Sequence, residues 1–155
     1  MYNRYMRVLA VSVLAAAVVG CNPFAMWGNA TTKRDVAEKA TARFHAMIDS
    51  AQFEAIWNEA DLDLQNSGPQ EDAIALFRMV NRRFGQVQGT DLKSWNVNFS
   101  TSEGTLVRLV YRTGFARDSA TETFVWRIRD NKPALLNYNI NSPALLRAMV
   151  EKSSQ

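Results

Sequence analysis

The chain is poor in the residues that most often carry chemistry. It has one cysteine, Cys21, and one histidine, His45, in 155 residues. A lone cysteine excludes an internal disulfide, and in an exported chain it would be an odd free thiol. A lone histidine with no cysteine or carboxylate at ligand spacing excludes the usual zinc arrangements. We therefore expect no metal and no cofactor, and we place His45, beside Phe44, partly exposed and without a functional role. No catalytic motif follows Cys21. Internal repeats and low-complexity tracts are lacking too. One apolar run stands out, Val8 to Val19, 12 residues with Ser12 its only polar member. It is too short to span a bilayer, which takes about 20 residues, and no second stretch comes closer.

What is there begins with that run. Arg4 and Arg7 precede it, no acid interrupts it, and Val18-Val19-Gly20-Cys21 follows. A basic start, an apolar segment and small residues before a cut make a secretory signal. The order resembles bacterial lipoprotein signals, which carry Leu, Val or Ile three before the cysteine and Gly or Ala just before it. The resemblance implies cleavage before Cys21 and lipidation of its thiol by a diacylglycerol, with a further palmitate-type chain on the new amine. At roughly 0.8 kcal/mol per buried methylene, two or more chains anchor stably. Asn22 stands where enterobacterial lipoproteins retained in the inner membrane have Asp, which points to the outer membrane, facing the periplasm.

Removing residues 1–20 leaves 135 of the 155 residues, enough for one domain with a sizeable core. Two of the 18 basic residues leave with the signal, so 16 face 15 acids, a formal +1. Net charge thus gives no case for nucleic-acid binding. We divide the chain into a signal (1–20), a lipidated tether (21–32) and a single α+β domain (33–155). In the tether, Phe24 and Trp27 suit either the membrane interface or packing on the domain.

Thr32 can cap a helix, and Val36, Ala40, Phe44, Met47 and Ile48 recur at helical spacing. Asp49-Ser50 breaks the pattern, and Phe53, Ile56, Trp57, Ala60 and Leu64 form a second stripe, so helices are expected over 33–49 and 51–63. Ser67 and Gln70 fit a capping box around Pro69. Ala73, Phe77, Val80 and Phe84 then make a third helix ending at Gly85. Beyond Gly89 the period changes to two. Trp95, Val97 and Phe99 share a face in the first strand, and Val107, Leu109, Tyr111 and Thr113 do so in the second. Glu122, Phe124, Trp126 and Ile128 follow in the third, then Leu136, Tyr138 and Ile140 in the fourth. Polar turns at Glu103-Gly104, Arg117-Asp118-Ser119 and Asp130-Asn131-Lys132-Pro133 make this an antiparallel meander with one buried face. Ser142-Pro143 starts a short C-terminal helix carrying Leu146, Met149 and Val150. The fold class is α+β: helices packed on a curved, cone-like antiparallel sheet of about four strands.

Several segments carry a wider resemblance. They are Phe44…Asp49-Ser50-Ala51-Gln52-Phe53…Trp57, Arg82-Arg83-Phe84-Gly85, Trp95-Asn96-Val97, Val110-Tyr111-Arg112-Thr113-Gly114-Phe115, Glu122-Thr123-Phe124-Val125-Trp126 and Leu136-Asn137-Tyr138-Asn139-Ile140. Over about residues 33–142 the chain is similar to small exported bacterial proteins of the nuclear transport factor 2-like (cystatin-like) superfamily, many of them domains of unknown function. The resemblance implies a sheet wrapped around a helix with a conical pocket. It differs in one place, because Asp61 to Asn66 makes a poor strand where many members have one. No acid–base constellation of the superfamily's enzymes carries over.

The expected pocket is lined by Phe53, Trp57, Trp95, Tyr111, Glu122, Trp126 and Tyr138. Glu122 shares its face with aromatics, an environment that marks a candidate site, although at a strand end it would reach water or pair with an arginine. Arg108, Arg112, Arg127 and Arg129 are expected on the solvated outer face of the sheet. The function expected is a membrane-anchored binding or accessory module that is not an enzyme, meeting an envelope protein or a small apolar ligand. Two rivals stand beside it: a small hydrolase or isomerase using Glu122 with Tyr111 or Tyr138, and a structural envelope protein acting by protein contact.

Overall fold

The computed structural model describes residues 23–100 and 102–143, with side chains from Asn29 onward. The C-terminal helix expected with Leu146, Met149 and Val150, the lipid site Cys21, and the side chains of Phe24 and Trp27 lie outside the described residues. Four helices precede four strands: α1 (Pro23–Asp49), α2 (Phe53–Asn58), α3 (Leu62–Gln65), α4 (Gln70–Phe84), β1 (Val87–Asn98), β2 (Thr105–Phe115), β3 (Ser119–Arg129) and β4 (Lys132–Asn141). The strands form an antiparallel meander in the order β1-β2-β3-β4. The architecture is α+β, with the helices on one face of the sheet.

α1 starts earlier than the sequence pattern suggested. It begins at Pro23, so Thr32 is inside the helix and residues 23–32 of the expected tether are helical. Proline is tolerated in a first turn, and Gly28 alone costs only about 1 kcal/mol against alanine. At its other end Ser50 and Ala51 break the helix, Ala51 taking φ 56°. The single second helix expected over 51–63 is two. Asp61 is extended (φ −63°, ψ 144°), and its carboxylate caps α3 by accepting from the Asp63 N–H. Its own N–H donates to the Leu135 carbonyl on edge strand β4, at 2.9 Å. The capping box at Ser67 is not made: the Ser67 hydroxyl donates back to the Leu64 carbonyl, and Pro69 stands at the start of α4 without a side-chain cap.

The core lies between the sheet and α1, with α2 and α4 behind. Ala37, Thr41, Phe44, His45 and Ile48 form the buried face of α1, at the i, i+3, i+4, i+7 spacing of one helical stripe. Phe77, Val80 and Phe84 of α4 meet it from one side, and Val107, Leu109, Phe124 and Ile128 of the sheet from the other. Asn81 on α4 locks the layers by donating its amide to the Ile48 carbonyl at 2.8 Å.

Irregularities in two strands reset their faces. In β1 the register skips between Leu92 and Ser94. This puts Leu92 on the inner face with Trp95 and Val97, as a one-residue bulge does. The strand stops at Asn98, which leaves Phe99 exposed rather than on the covered face with half-buried Trp95. In β4, Val125 pairs Asn137 and Trp126 pairs Leu135, so Leu136 is the extra residue. Leu135 therefore joins Tyr138 in the core, and Leu136, expected there, is only half-buried.

Arg127 also departs from expectation. Instead of lying on a solvated face with Arg108, Arg112 and Arg129, it is buried, donating to Asp61 at 2.6 Å and to Asp63 at 2.8 Å. Arg129 reaches the second Asp61 oxygen at 3.2 Å. The α2–α3 joint thus folds over edge strand β4 and covers it, a standard protection for an edge.

Candidate functional site

The one carboxylate on the aromatic face of the sheet is the centre of a buried polar cluster. Glu122 on β3 has no exposed surface. Its Oε1 accepts from the Tyr138 hydroxyl of β4 at 2.6 Å, and its Oε2 lies 2.9 Å from His45 Nε2 of α1. Glu122 neither reaches water nor pairs with an arginine, and His45 is 6% exposed rather than partly open. A buried carboxylate is costly unless charge-assisted hydrogen bonds occupy its oxygens, and here each oxygen has one partner. Burial, followed by the adjacent Glu122 charge and hydrogen bond, holds the Tyr138 phenol well above its ordinary value, so it stays a donor.

Each position follows from local structure. Alternation along β3 sends Glu122, Phe124 and Trp126 inward. Regular pairing of Tyr138 with Phe124 puts its ring on the same face, beyond the β4 bulge. On α1, His45 lies one turn beyond Thr41, whose hydroxyl donates to the Ala37 carbonyl at 3.0 Å and accepts from Trp126 Nε1 at 2.9 Å. Aromatic rings close the cluster: Phe124 meets His45 edge-on at 5.6 Å, and Phe44 lies 4.8 Å from Tyr138 and 5.2 Å from Phe124. Such pairs add about 0.5–1.5 kcal/mol each beyond burial.

The other expected pocket residues are spread along the core. Tyr111 is opposite Glu122 in the β2–β3 register. Burial pushes its phenol up to about 12, the Glu38 carboxylate adding to the rise and Arg34 offsetting it. Trp95 is half-buried beneath the Arg34 guanidinium, 5.3 Å from the ring centre. Phe53 is buried beneath Arg78 at 5.9 Å. Trp57 borders an outward groove with Pro69 and Leu76. Trp126 borders a cleft of about 80 Å³ between α1, α2 and the β3–β4 end, with Phe44, Met47, Ile56 and Leu135 as its apolar walls. The Arg43–Glu59 ion pair borders the same cleft. Neither Glu122 nor Tyr138 lines it.

The structure thus brings Glu122 and Tyr138 together and sets Tyr111 opposite Glu122 in the register; Trp126 lies farther along β3, stacked on Phe124 and bonded to Thr41, and Phe53, Trp57 and Trp95 lie at the margins. His45, Thr41, Asp61 and Arg127 were missed as polar core residues. For His45 a signal existed, since it lies four after Thr41 and three before Ile48 on the α1 stripe. For Asp61 and Arg127 none did, because they meet only through a loop. Among the described residues no three histidines, cysteines or carboxylates gather as a metal site, and no helix is long and apolar enough to cross a membrane. No protein-family model matches the chain, and no curated protein matches it significantly.

Proposed function

We propose that this chain is a lipid-anchored envelope protein, held through Cys21 in the outer membrane and facing the periplasm, that works as a binding or accessory module without turnover. The Arg4/Arg7, Val8–Val19 and Val18-Val19-Gly20-Cys21 order supports the anchor. One observation supports the rest: Glu122, the best-placed acid or base, is fully buried with both oxygens engaged. A reacting group must come within hydrogen-bond reach of its acid or base, and His45, Tyr138 and the surrounding rings occupy that space. The domain then acts through its surface, on an envelope protein or other ligand, with the polar cluster fixing how α1 sits on the sheet. The resemblance to nuclear transport factor 2-like exported proteins fits a helix-on-meander fold of this kind.

A second reading, a small hydrolase or isomerase, is favoured by the convergence of Glu122, His45 and Tyr138, a carboxyl group between an imidazole and a phenol. It requires the cluster to open. Labelling of the native chain with a water-soluble carbodiimide and an amine separates the two. The module reading expects modification at exposed Glu71 and Asp72 and protection of Glu122 until the chain unfolds. Labelling of Glu122 at the rate of the exposed acids would show an open site and favour the enzyme.

A further inference from the structure

Among the described residues Arg34, Arg43, Arg127 and Arg129 pair with acids, whereas one surface groove gathers four arginines with no acid in its lining. Arg78, Arg82 and Arg83 of α4 and Arg117 of the β2–β3 turn line an open groove of about 640 Å³, with Ala75 and Met79 as its remaining wall. All four arginines are exposed. The acids of α4, Glu71 and Asp72, sit in its first turn, about 15 Å along the axis from Arg82 at 1.5 Å per residue. Asp118, next to Arg117, accepts from the Ser119 N–H.

Helix-end chemistry accounts for only part of this. Arg82 and Arg83 complement the negative end of the α4 dipole. Arg78 is a turn earlier, and Arg117 belongs to another element. Arg117 is brought in by construction: its N–H donates to the Phe84 carbonyl at 3.0 Å, and the Ala116 N–H donates to the Gln86 carbonyl at 2.8 Å. Its guanidinium also donates to the Arg82 carbonyl. Gly85, at φ 76°, permits the approach, since a Cβ there would meet Ala116 Cβ at 3.2 Å. The turn is therefore fixed against the helix end, and the guanidinium of Arg117 beside Arg82.

We propose that this groove binds a phosphate-bearing anion with more than one charged oxygen group, such as a pyrophosphate or the phosphodiester headgroup of an anionic lipid. Guanidinium forks match phosphate oxygens two at a time. Four of them in one groove exceed what a single carboxylate can engage, and the volume takes a group larger than one phosphate. The inference rests on the reading of the chain as a binding module, for which it names a ligand chemistry.

The test is calorimetric titration of the full chain in non-ionic detergent, at low salt, with two probes. One is inorganic pyrophosphate. The other is short-chain phosphatidylglycerol in mixed micelles, with phosphatidylcholine as its control. The proposal expects saturable binding of at least one probe, weakened at least tenfold by Arg82→Gln with Arg117→Gln. The pair Arg108→Gln with Arg112→Gln on the outer sheet face should change it less than twofold. Pyrophosphate binding assigns a soluble ligand, and binding of phosphatidylglycerol alone assigns a headgroup. Circular dichroism confirms folding, and if the double variant unfolds, Arg78→Gln in mid-helix takes its place. Absence of binding to both probes, or equal weakening by the groove and sheet-face variants, overturns the proposal. Either result leaves the protection of Glu122 from carbodiimide unaffected, so the two readings fail separately.

Discussion

Removing the Glu122 carboxylate probes the centre of the molecule. Glu122→Ala leaves the Tyr138 hydroxyl and His45 Nε2, both buried, without the partner they have at 2.6 and 2.9 Å. Each orphaned polar group costs about 1–3 kcal/mol, and the vacated volume adds a cavity term. Two orphaned groups and the cavity together put the net loss at about 3–5 kcal/mol. That is a large share of the 5–15 kcal/mol typical of a domain. Glu122→Gln keeps the shape and one acceptor oxygen, and should cost about 1–2 kcal/mol. Replacing the whole cluster by Glu122→Leu, Tyr138→Phe and His45→Leu should recover most of the loss, since apolar groups of similar volume leave nothing unpaired. Urea unfolding followed by tryptophan fluorescence measures all three. A loss below about 1 kcal/mol for Glu122→Ala would mean that the carboxylate already reaches water and that the core is open there.

Three further outcomes follow from the same packing. Trp126→Ala removes a ring that is 6% exposed and stacked 6.3 Å from Phe124, and thermal or urea unfolding should show a loss of about 3–5 kcal/mol; a change within 0.5 kcal/mol would place Trp126 on the surface. Asp61→Ala strips Arg127 of its 2.6 Å partner and α3 of its cap, and should cost about 3–5 kcal/mol, with amide exchange faster in α3 and β4; unchanged exchange there would refute the edge-clasp role. In alkali, Tyr138 is raised well above its ordinary value and Tyr111 to about 12. Folding thus favours the protonated phenols, so their contribution is complete below about pH 10 and is lost as pH rises from there through the folded-state values. Tyr138→Phe should be less stable at neutral pH and lose less above pH 10, and parallel curves for the two proteins would contradict this.

The period-two pattern of Val107–Thr113 and Glu122–Ile128 made β2 and β3 legible, because a sheet covered on one face forces strict alternation. The same rule misassigned β4, where the bulge at Leu136 breaks the alternation and exchanges Leu136 for Leu135. No local composition marks that bulge; it is set by pairing with β3. The helical face of α1 was legible from Phe44, Met47 and Ile48. Its start was not, because Thr32 reads as a cap and Pro23 and Gly28 as breakers, whereas the helix starts at Pro23 and runs through Gly28 and Thr32. Of the site, Glu122 and Tyr138 could be placed on one face, but their partner could not. A histidine on an otherwise apolar stripe reads as a boundary residue until a carboxylate 77 positions away along the chain is seen opposite it.

An anchored envelope module is defined by where its mature chain begins and what it carries there. Mass spectrometry of the N-terminal peptide from the purified mature protein tests this most directly. The expected first residue is Cys21, bearing a diacylglycerol on its sulfur and an acyl chain on its amine, with Cys21→Ala accumulating as the uncleaved precursor. An unmodified Cys21, or a mature chain beginning elsewhere, would contradict this.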